Sequence, residues 1–255
     1  MPAAWIPAAT AAGYVNRTGH RQSITVTETR RTMKKRVLFA LTSHNRKGHT
    51  GQPTGFYLPE AAHPWAVLRD RFEIDFVSTR GGKPPMDGAN SADAASRAFL
   101  ADPDVRRKLD HTPTAHETTA ADYAAILFVG GHGTMWDFPD DQDLASVAAA
   151  IYEAEGVIGA VCHGPAALVN LKLSGGEYLV AGKRVAAFTD EEERAAGLES
   201  VVPFLLESML RARGAIHIPA PNWQSNVITD GRLVTGQNPA SAYGVGQEMA
   251  HLLGD

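Results

Sequence analysis

The stretch that decides the fold is Val157-Ile158-Gly159-Ala160-Val161-Cys162-His163-Gly164-Pro165-Ala166-Ala167-Leu168. An apolar, strand-like run breaks at Cys162 into His163, Gly164 and Pro165, and an apolar stretch able to form a helix follows at once. The pattern reads as strand, tight turn, helix, with Cys162 on the turn and only small residues, Ala160 and Gly164, two positions away on either side. This is a nucleophile elbow with sulfur in place of a serine hydroxyl. A thiol at a helix N-terminus meets unpaired N–H groups and the positive end of the macrodipole, so the sequence predicts a Cys162 pKa well below that of a free thiol.

Working outward, Val37-Leu38-Phe39-Ala40-Leu41 and Ala124-Ala125-Ile126-Leu127-Phe128-Val129 are apolar throughout, like strands buried on both faces. Phe72 to Ser78 alternates apolar and polar residues. Helical stretches are read from Tyr57 to Arg71, from Ser91 to Leu109 with a break near Pro103, from Leu144 to Glu155 and from Val201 to Arg213. Two short strands are expected at Leu179–Val180 and Val185–Phe188. A hairpin turns at Asp230-Gly231, and Asn238-Pro239 caps a last helix running to Leu253. Alternating strands and helices imply an α/β fold, a doubly wound and mostly parallel sheet with helices on both faces, whose ligands sit beyond the carboxyl ends of the strands. The polar loop Thr42 to Gly55, the Gly130 loop and Cys162 each follow an expected strand.

Composition narrows the function. The chain has 255 residues, 44% hydrophobic and 20% charged, with 24 basic against 28 acidic side chains and a net charge of −4. No basic stripe interleaved with aromatics points to nucleic acid. A single cysteine excludes an intramolecular disulfide and a multi-cysteine zinc site, and suits a reducing cytoplasm. No stretch approaches the roughly 18 apolar residues of a membrane span. Residues 1–33 lack clear periodicity and make a poor signal peptide. They are expected to form a flexible extension before one α/β domain over residues 34–255.

Several side chains are candidates for chemistry beside Cys162. His163 is its chain neighbour; adjacent residues on a turn are expected to point apart, which leaves His163 to serve other atoms of a substrate. The N–H groups of Gly130 and Gly131, with that of His163, form a candidate oxyanion hole, and His132 and Trp136 are candidate pocket residues. No G-x-G-x-x-G opens a helix after the first strand, which argues against a dinucleotide. Glu60 begins a helix among apolar neighbours, where a carboxyl with a raised pKa exchanges protons with a substrate; it would equally serve as a helix-dipole partner. Glu191, Glu192 and Glu193 form an acidic run, of which one member could face inward to orient an imidazole.

Taken together, Leu58-Pro59-Glu60-Ala61-Ala62-His63-Pro64, Gly130-Gly131-His132-Gly133-Thr134, Ala160 to Pro165, Phe188 to Glu193 and Ile228 to Pro239 resemble the ThiJ/PfpI superfamily. Within it, the match is to the glutathione-independent glyoxalases and related heat-shock chaperones. The resemblance implies a flavodoxin-like fold, Cys162 as nucleophile with His163 beside it, Glu60 contacting the thiolate and Glu193 as third member of a triad. It also implies a homodimer; the chemistry needs no metal and no organic cofactor, and the cluster of two histidines and a carboxylate that binds metal in some chaperone relatives has no matching spacing after Glu60. The activity implied is conversion of a small 2-oxoaldehyde such as methylglyoxal to a 2-hydroxy acid. Hydrolysis of peptides or glycation adducts, a holdase chaperone and a redox sensor are alternatives at the same site. No H-x-E follows the cysteine, which counts against glutamine hydrolysis.

Overall fold

The apolar runs at 37–41, 125–128 and 157–161 and the alternating run at 72–78 all become strands in the computed structural model, which describes residues 34–89 and 92–254. In chain order the strands are β1 (Arg36–Leu41), β2 (Phe56–Tyr57), β3 (Glu73–Ser78), β4 (Met86–Asp87), β5 (Ala125–Phe128), β6 (Val157–Val161), β7 (Arg184–Val185), β8 (Ile216–His217), β9 (Val227–Asp230) and β10 (Leu233–Gly236). The helices are α1 (Leu58–Leu68), α2 (Ala94–Ala101), α3 (Pro103–Asp110), α4 (Thr134–Asp137), α5 (Gln142–Glu153), α6 (Asp190–Ala195), α7 (Leu206–Ala212) and α8 (Ala242–Leu252). Six strands make one sheet in the order β3-β1-β5-β6-β10-β9. The first five are parallel, and β9 closes the edge antiparallel to β10 across the expected Asp-Gly turn.

Side chains alternate across this sheet, and both faces are covered, which is why the strands read as continuous apolar runs. Leu38, Ala40, Ile126, Phe128, Ile158 and Ala160 pack with Leu144, Ala148 and Ile151 of α5 and with Leu206 and Leu210 of α7. Val37, Phe39, Leu41, Leu127 and Val161 pack with Leu58 and Trp65 of α1 and with Val245 and Met249 of α8. Parallel strands bring their carboxyl ends to one edge. The loop after β1, Gly130 after β5, Cys162 after β6 and Gln237 after β10 therefore lie side by side.

Three expectations change. The helix expected over residues 201–213 starts only at Leu206, because Pro203 lacks an N–H and disfavours helical backbone at the residue before it. Leu179–Val180 is a turn. The strand expected over residues 185–188 shrinks to β7, although Ala186, Ala187 and Phe188 are buried. Their N–H groups go to Thr235 Oγ1, His217 Nε2 and the Cys162 carbonyl instead of to a ladder. Burial made them look like strand; the available acceptors did not lie in a row. The extension expected over residues 1–33 lies outside the described residues, among which no helix is long and apolar enough to cross a membrane.

Candidate active site

Cys162 is held at φ +59°, a left-handed conformation that side-chain-bearing residues rarely adopt. Two backbone bonds fix it there. Its N–H donates to the Gly236 carbonyl of β10 at 2.8 Å, and its carbonyl accepts from Phe188 N–H at 3.0 Å. The chain then folds back so tightly that a Cβ on Gly164 would run into the Phe128 carbonyl. The elbow expected from the sequence is thus present, but it feeds a five-residue 3-10 helix, Gly164–Leu168, and no longer helix follows. The macrodipole argument for a low thiol pKa loses most of its force, because few aligned peptides stand behind the sulfur.

His163 does not point away from Cys162. Its Nδ1 lies 3.4 Å from Cys162 Sγ, because the left-handed turn at Cys162 rotates the two adjacent side chains toward one another. The imidazole is fully buried, and its Nε2 lies 2.7 Å from Glu193 Oε2. The other oxygen, Glu193 Oε1, is 3.1 Å from His132 Nε2. Burial alone would raise the Glu193 carboxyl, but the hydrogen bonds from His132 and His163 outweigh it and hold it at about 2. An ionised Glu193 can only accept, so each imidazole donates to it from Nε2–H, which leaves Nδ1 of His163 as a lone-pair acceptor facing the thiol. Burial, reinforced by His132, lowers the pKa of His163 to about 4, so it rests as a neutral imidazole.

The acidic run divides its labour by position on α6. Thr189 caps the helix, its side chain accepting from Glu192 N–H, and Glu192 reaches back to accept from Thr189 N–H and Oγ1–H. Its second oxygen accepts from Trp223 N–H and Asn238 Nδ2–H, both at 2.8 Å. Glu193, one step on, faces the imidazoles, and Glu191 faces solvent. The sequence reading left the choice among the three open; helix geometry assigns Glu193 to His163.

Glu60 occupies the first turn of α1 yet caps nothing. Among the described residues both of its carboxyl oxygens are buried without a hydrogen-bond partner, so the helix-dipole reading does not describe it. Tyr57 N–H donates to the Gly130 carbonyl and brings α1 against the β5 loop. There, a Cβ on Gly130 would collide with Glu60 Oε2 and the Val161 carbonyl and come within 3.0 Å of Cys162 Cβ. Carboxyl and thiol therefore meet over a bare glycine. Burial raises the Glu60 pKa to about 8, an effect the neighbouring thiol only partly offsets.

The thiol behaves opposite to expectation. Burial, then the charge on Glu60, push Cys162 well above its ordinary value, against a smaller opposing effect of the His163 N–H, which faces the sulfur. Glu60 and Cys162 form one titrating unit that keeps its protons through neutral pH, and a thiolate forms only when the proton is handed to another group.

The N–H groups of Gly130 and Gly131 are taken up by no backbone carbonyl among the described residues, whereas that of His163 faces the Cys162 sulfur. His132 stands at the partly exposed edge of the cluster, its ring 4.1 Å from that of His163. Trp136 is elsewhere. Its ring stacks on His44 at 5.0 Å and lines a cavity of about 270 Å³ with Met135, Phe204, Met209 and Arg213, a cavity that Cys162 does not line. Ligand atoms of His132, His163 and Glu193 lie within 4.8 Å of one another, close enough to share a cation, and here they hydrogen-bond to each other. Sequence reading missed Phe188, whose ring lies 4.3 Å from that of His163, and Asp137, whose carboxylate accepts from Thr42 Oγ1, Thr79 Oγ1 and the N–H groups of Ser43 and His44. Phe188 entered the sequence reading only as the start of the stretch that ends at Glu193, and nothing local singles out its ring or the Asp137 carboxylate; each is recruited by contacts distant in the chain.

The DJ-1/PfpI family pattern matches residues 54–251. The chain is 37% identical over 226 residues to "Glutathione-independent glyoxalase HSP31" of Saccharomyces cerevisiae, covering 82% of this chain and 94% of that protein. It is 31% identical over 239 residues to "Glyoxalase 3" of Candida albicans, covering 84% and 96%. Among solved structures, the Rapid Encystment Protein 24 KDa of Francisella tularensis matches with a TM-score of 0.84 at 39% identity over 87% of this chain and 100% of that one. Glyoxalase III of Candida albicans matches with a TM-score of 0.78 at 30% identity over 86% and 97%. With the parallel sheet, the strained cysteine elbow and these matches in agreement over most of the chain, the protein belongs to the DJ-1/PfpI family.

Proposed function

We propose that this protein is a glutathione-independent glyoxalase, converting methylglyoxal, and glyoxal, to the corresponding 2-hydroxy acid. The observation that carries the reading is the meeting of a thiol, a neutral imidazole with its lone pair on that thiol, and a buried carboxyl with a pKa of about 8. Relatives at 37% and 31% identity bear glyoxalase names.

The steps balance with these groups alone. His163 Nδ1 takes the thiol proton while Glu193 stabilises the imidazolium, and Sγ bonds to the aldehyde carbon C1. The C1 oxygen takes the Glu60 proton, giving a hemithioacetal. The Glu60 carboxylate removes the hydrogen on C1; the electron pair forms C1=C2, and the C2 oxygen takes the proton from His163, leaving an enediol. Glu60 then protonates C2 as the O–H on C1 gives its proton to His163, which yields a thioester. Water adds to C1, its proton returning to Glu60, and Sγ leaves with the proton from His163. Glu60 acts as acid, base, acid and base again, which a carboxyl poised near neutrality can do. In this reading the amides of Gly130 and Gly131 receive the negative charge on oxygen, joined by that of His163 once the sulfur has bonded to C1.

The test is purified protein with methylglyoxal and no glutathione, followed by proton NMR. Lactate is expected with the native protein and absent with Cys162→Ala. Lactate formation unaffected by that substitution, or none with either protein, overturns the reading.

A further inference from the structure

Resting on that proposed activity, we propose that Trp223 is a specificity-determining residue that forms the outer wall of the substrate entrance and receives the apolar substituent on C2 of the 2-oxoaldehyde.

Trp223 is anomalous twice. Its side chain is one of few large apolar groups on the surface, 51% exposed, and its backbone sits at φ +64°, a strained conformation for an aromatic residue. Strain of this kind persists only where the surroundings enforce it, and here they are unusually specific. Glu192, fully buried, accepts the Trp223 N–H at 2.8 Å. The flanking residues are tied to the carboxyl end of β10. Ala220 N–H donates to Gln237 Oε1, Gln237 Nε2–H donates to the Ala220 carbonyl, and Asn238 Nδ2–H donates to the Gln224 carbonyl. The same strand end accepts the Cys162 N–H at Gly236, so the loop that carries Trp223 is anchored beside the nucleophile.

The indole stands edge-to-face on Phe188 at 5.6 Å, and Phe188 in turn lies 4.3 Å from the ring of His163. His163, Phe188 and Trp223 thus form an aromatic series running from the catalytic base out to solvent, with only the last member exposed. Helix α6 couples the two ends: Glu193 orients the base, and its neighbour Glu192 fixes the outer aromatic. A rigidly held indole at the end of such a series, half exposed among the described residues, is an apolar contact surface. In this proposal a dicarbonyl bonded through C1 to Cys162 turns its C2 substituent along the aromatic series toward Trp223, where hydrogen makes no contact, methyl a small one and phenyl a full aromatic contact.

The experiment compares native protein with Trp223→Gly, which tolerates the positive φ and removes the indole, and with Trp223→Phe, which keeps an aromatic face. Glyoxal, methylglyoxal and phenylglyoxal are turned over in parallel. Trp223→Gly is expected to raise KM for phenylglyoxal roughly two- to tenfold, the size of one aromatic contact, with kcat unchanged and glyoxal kinetics unaffected; Trp223→Phe restores most of the loss. A second arm needs no turnover: Cys162 is the only cysteine, so its alkylation by iodoacetamide and by N-phenyliodoacetamide is read directly. Trp223→Gly is expected to slow the phenyl reagent by a similar factor and leave iodoacetamide unchanged. Equal effects on both reagents, or none, overturn the wall. If native protein turns over none of the dicarbonyls, the glyoxalase reading fails while the alkylation arm still decides the role of Trp223.

Discussion

Nδ1 of His163 lies 3.4 Å from Sγ of Cys162, its own neighbour in the chain. Two adjacent residues seldom share a hydrogen bond through their side chains; here the left-handed turn at Cys162 makes it possible, and Glu193 holds the far side of the ring.

The acidic run gives three phenotypes from three consecutive residues. Glu193→Gln leaves a folded protein, but its amide cannot stabilise an imidazolium, and turnover is expected to fall about 10²- to 10⁴-fold. Glu192→Ala leaves Trp223 N–H and Thr189 N–H without their acceptor, and Asn238 Nδ2 with only the Gln224 carbonyl, and lowers stability by about 2–6 kcal/mol, at about 1–3 kcal/mol for each of the two N–H groups left unpaired. Glu191→Ala, on an exposed side chain, changes both by little. Thermal melts and lactate production on the three variants check the assignment.

Glu60 makes stability depend on pH in a direction unusual for a carboxyl. Its folded pKa of about 8 lies above the ordinary 4.5, so below pH 4.5 both states are protonated and its contribution is fully present. As pH rises from about 4.5 to about 8 the unfolded chain ionises while the folded one does not, and stability is lost. Glu60→Gln removes that loss. The variant's melting temperature relative to native protein should rise across this window, while turnover falls about 10²- to 10⁴-fold because an amide cannot relay protons. A flat difference in melting temperature across the window contradicts a buried, protonated Glu60.

The same substitution probes the thiol. With the carboxylate gone, one of the two main influences holding Cys162 up disappears, so alkylation by iodoacetamide should reach its half-maximal rate at a lower pH in Glu60→Gln than in native protein. An unchanged or higher midpoint would show that Glu60 does not act on the sulfur.

Gly130→Ala is a test of close approach. The added methyl meets Glu60 Oε2, the Val161 carbonyl and Cys162 Cβ, and two of these belong to backbone or to a Cβ that cannot swing away. A loss of about 1–3 kcal/mol is expected from overpacking, with turnover abolished as carboxyl and thiol are forced apart. Circular dichroism and lactate production measure the two effects separately.

What sequence alone determined is what local chemistry and periodicity can encode. The apolar runs at 37–41, 125–128 and 157–161 specified buried parallel strands, because only a sheet covered on both faces tolerates them. The Asp230-Gly231 turn specified the edge hairpin, and the small residues around Cys162 specified the elbow. Glu60 and His163 were legible as candidates by residue type and position. Tertiary structure decided how they work. The number of residues between Cys162 and Glu193 says nothing of the 2.7 Å bond from that glutamate to His163, which exists because α6 packs across the carboxyl edge of the sheet. Burial, a property of the whole fold, set the protonation of Glu60, His163 and Cys162, and for the thiol it reversed what the elbow by itself predicts. Trp223 and Asp137 became visible only once loops distant in the chain converged on them, since hydrogen bonds across such separations leave no periodic trace in the residues that make them.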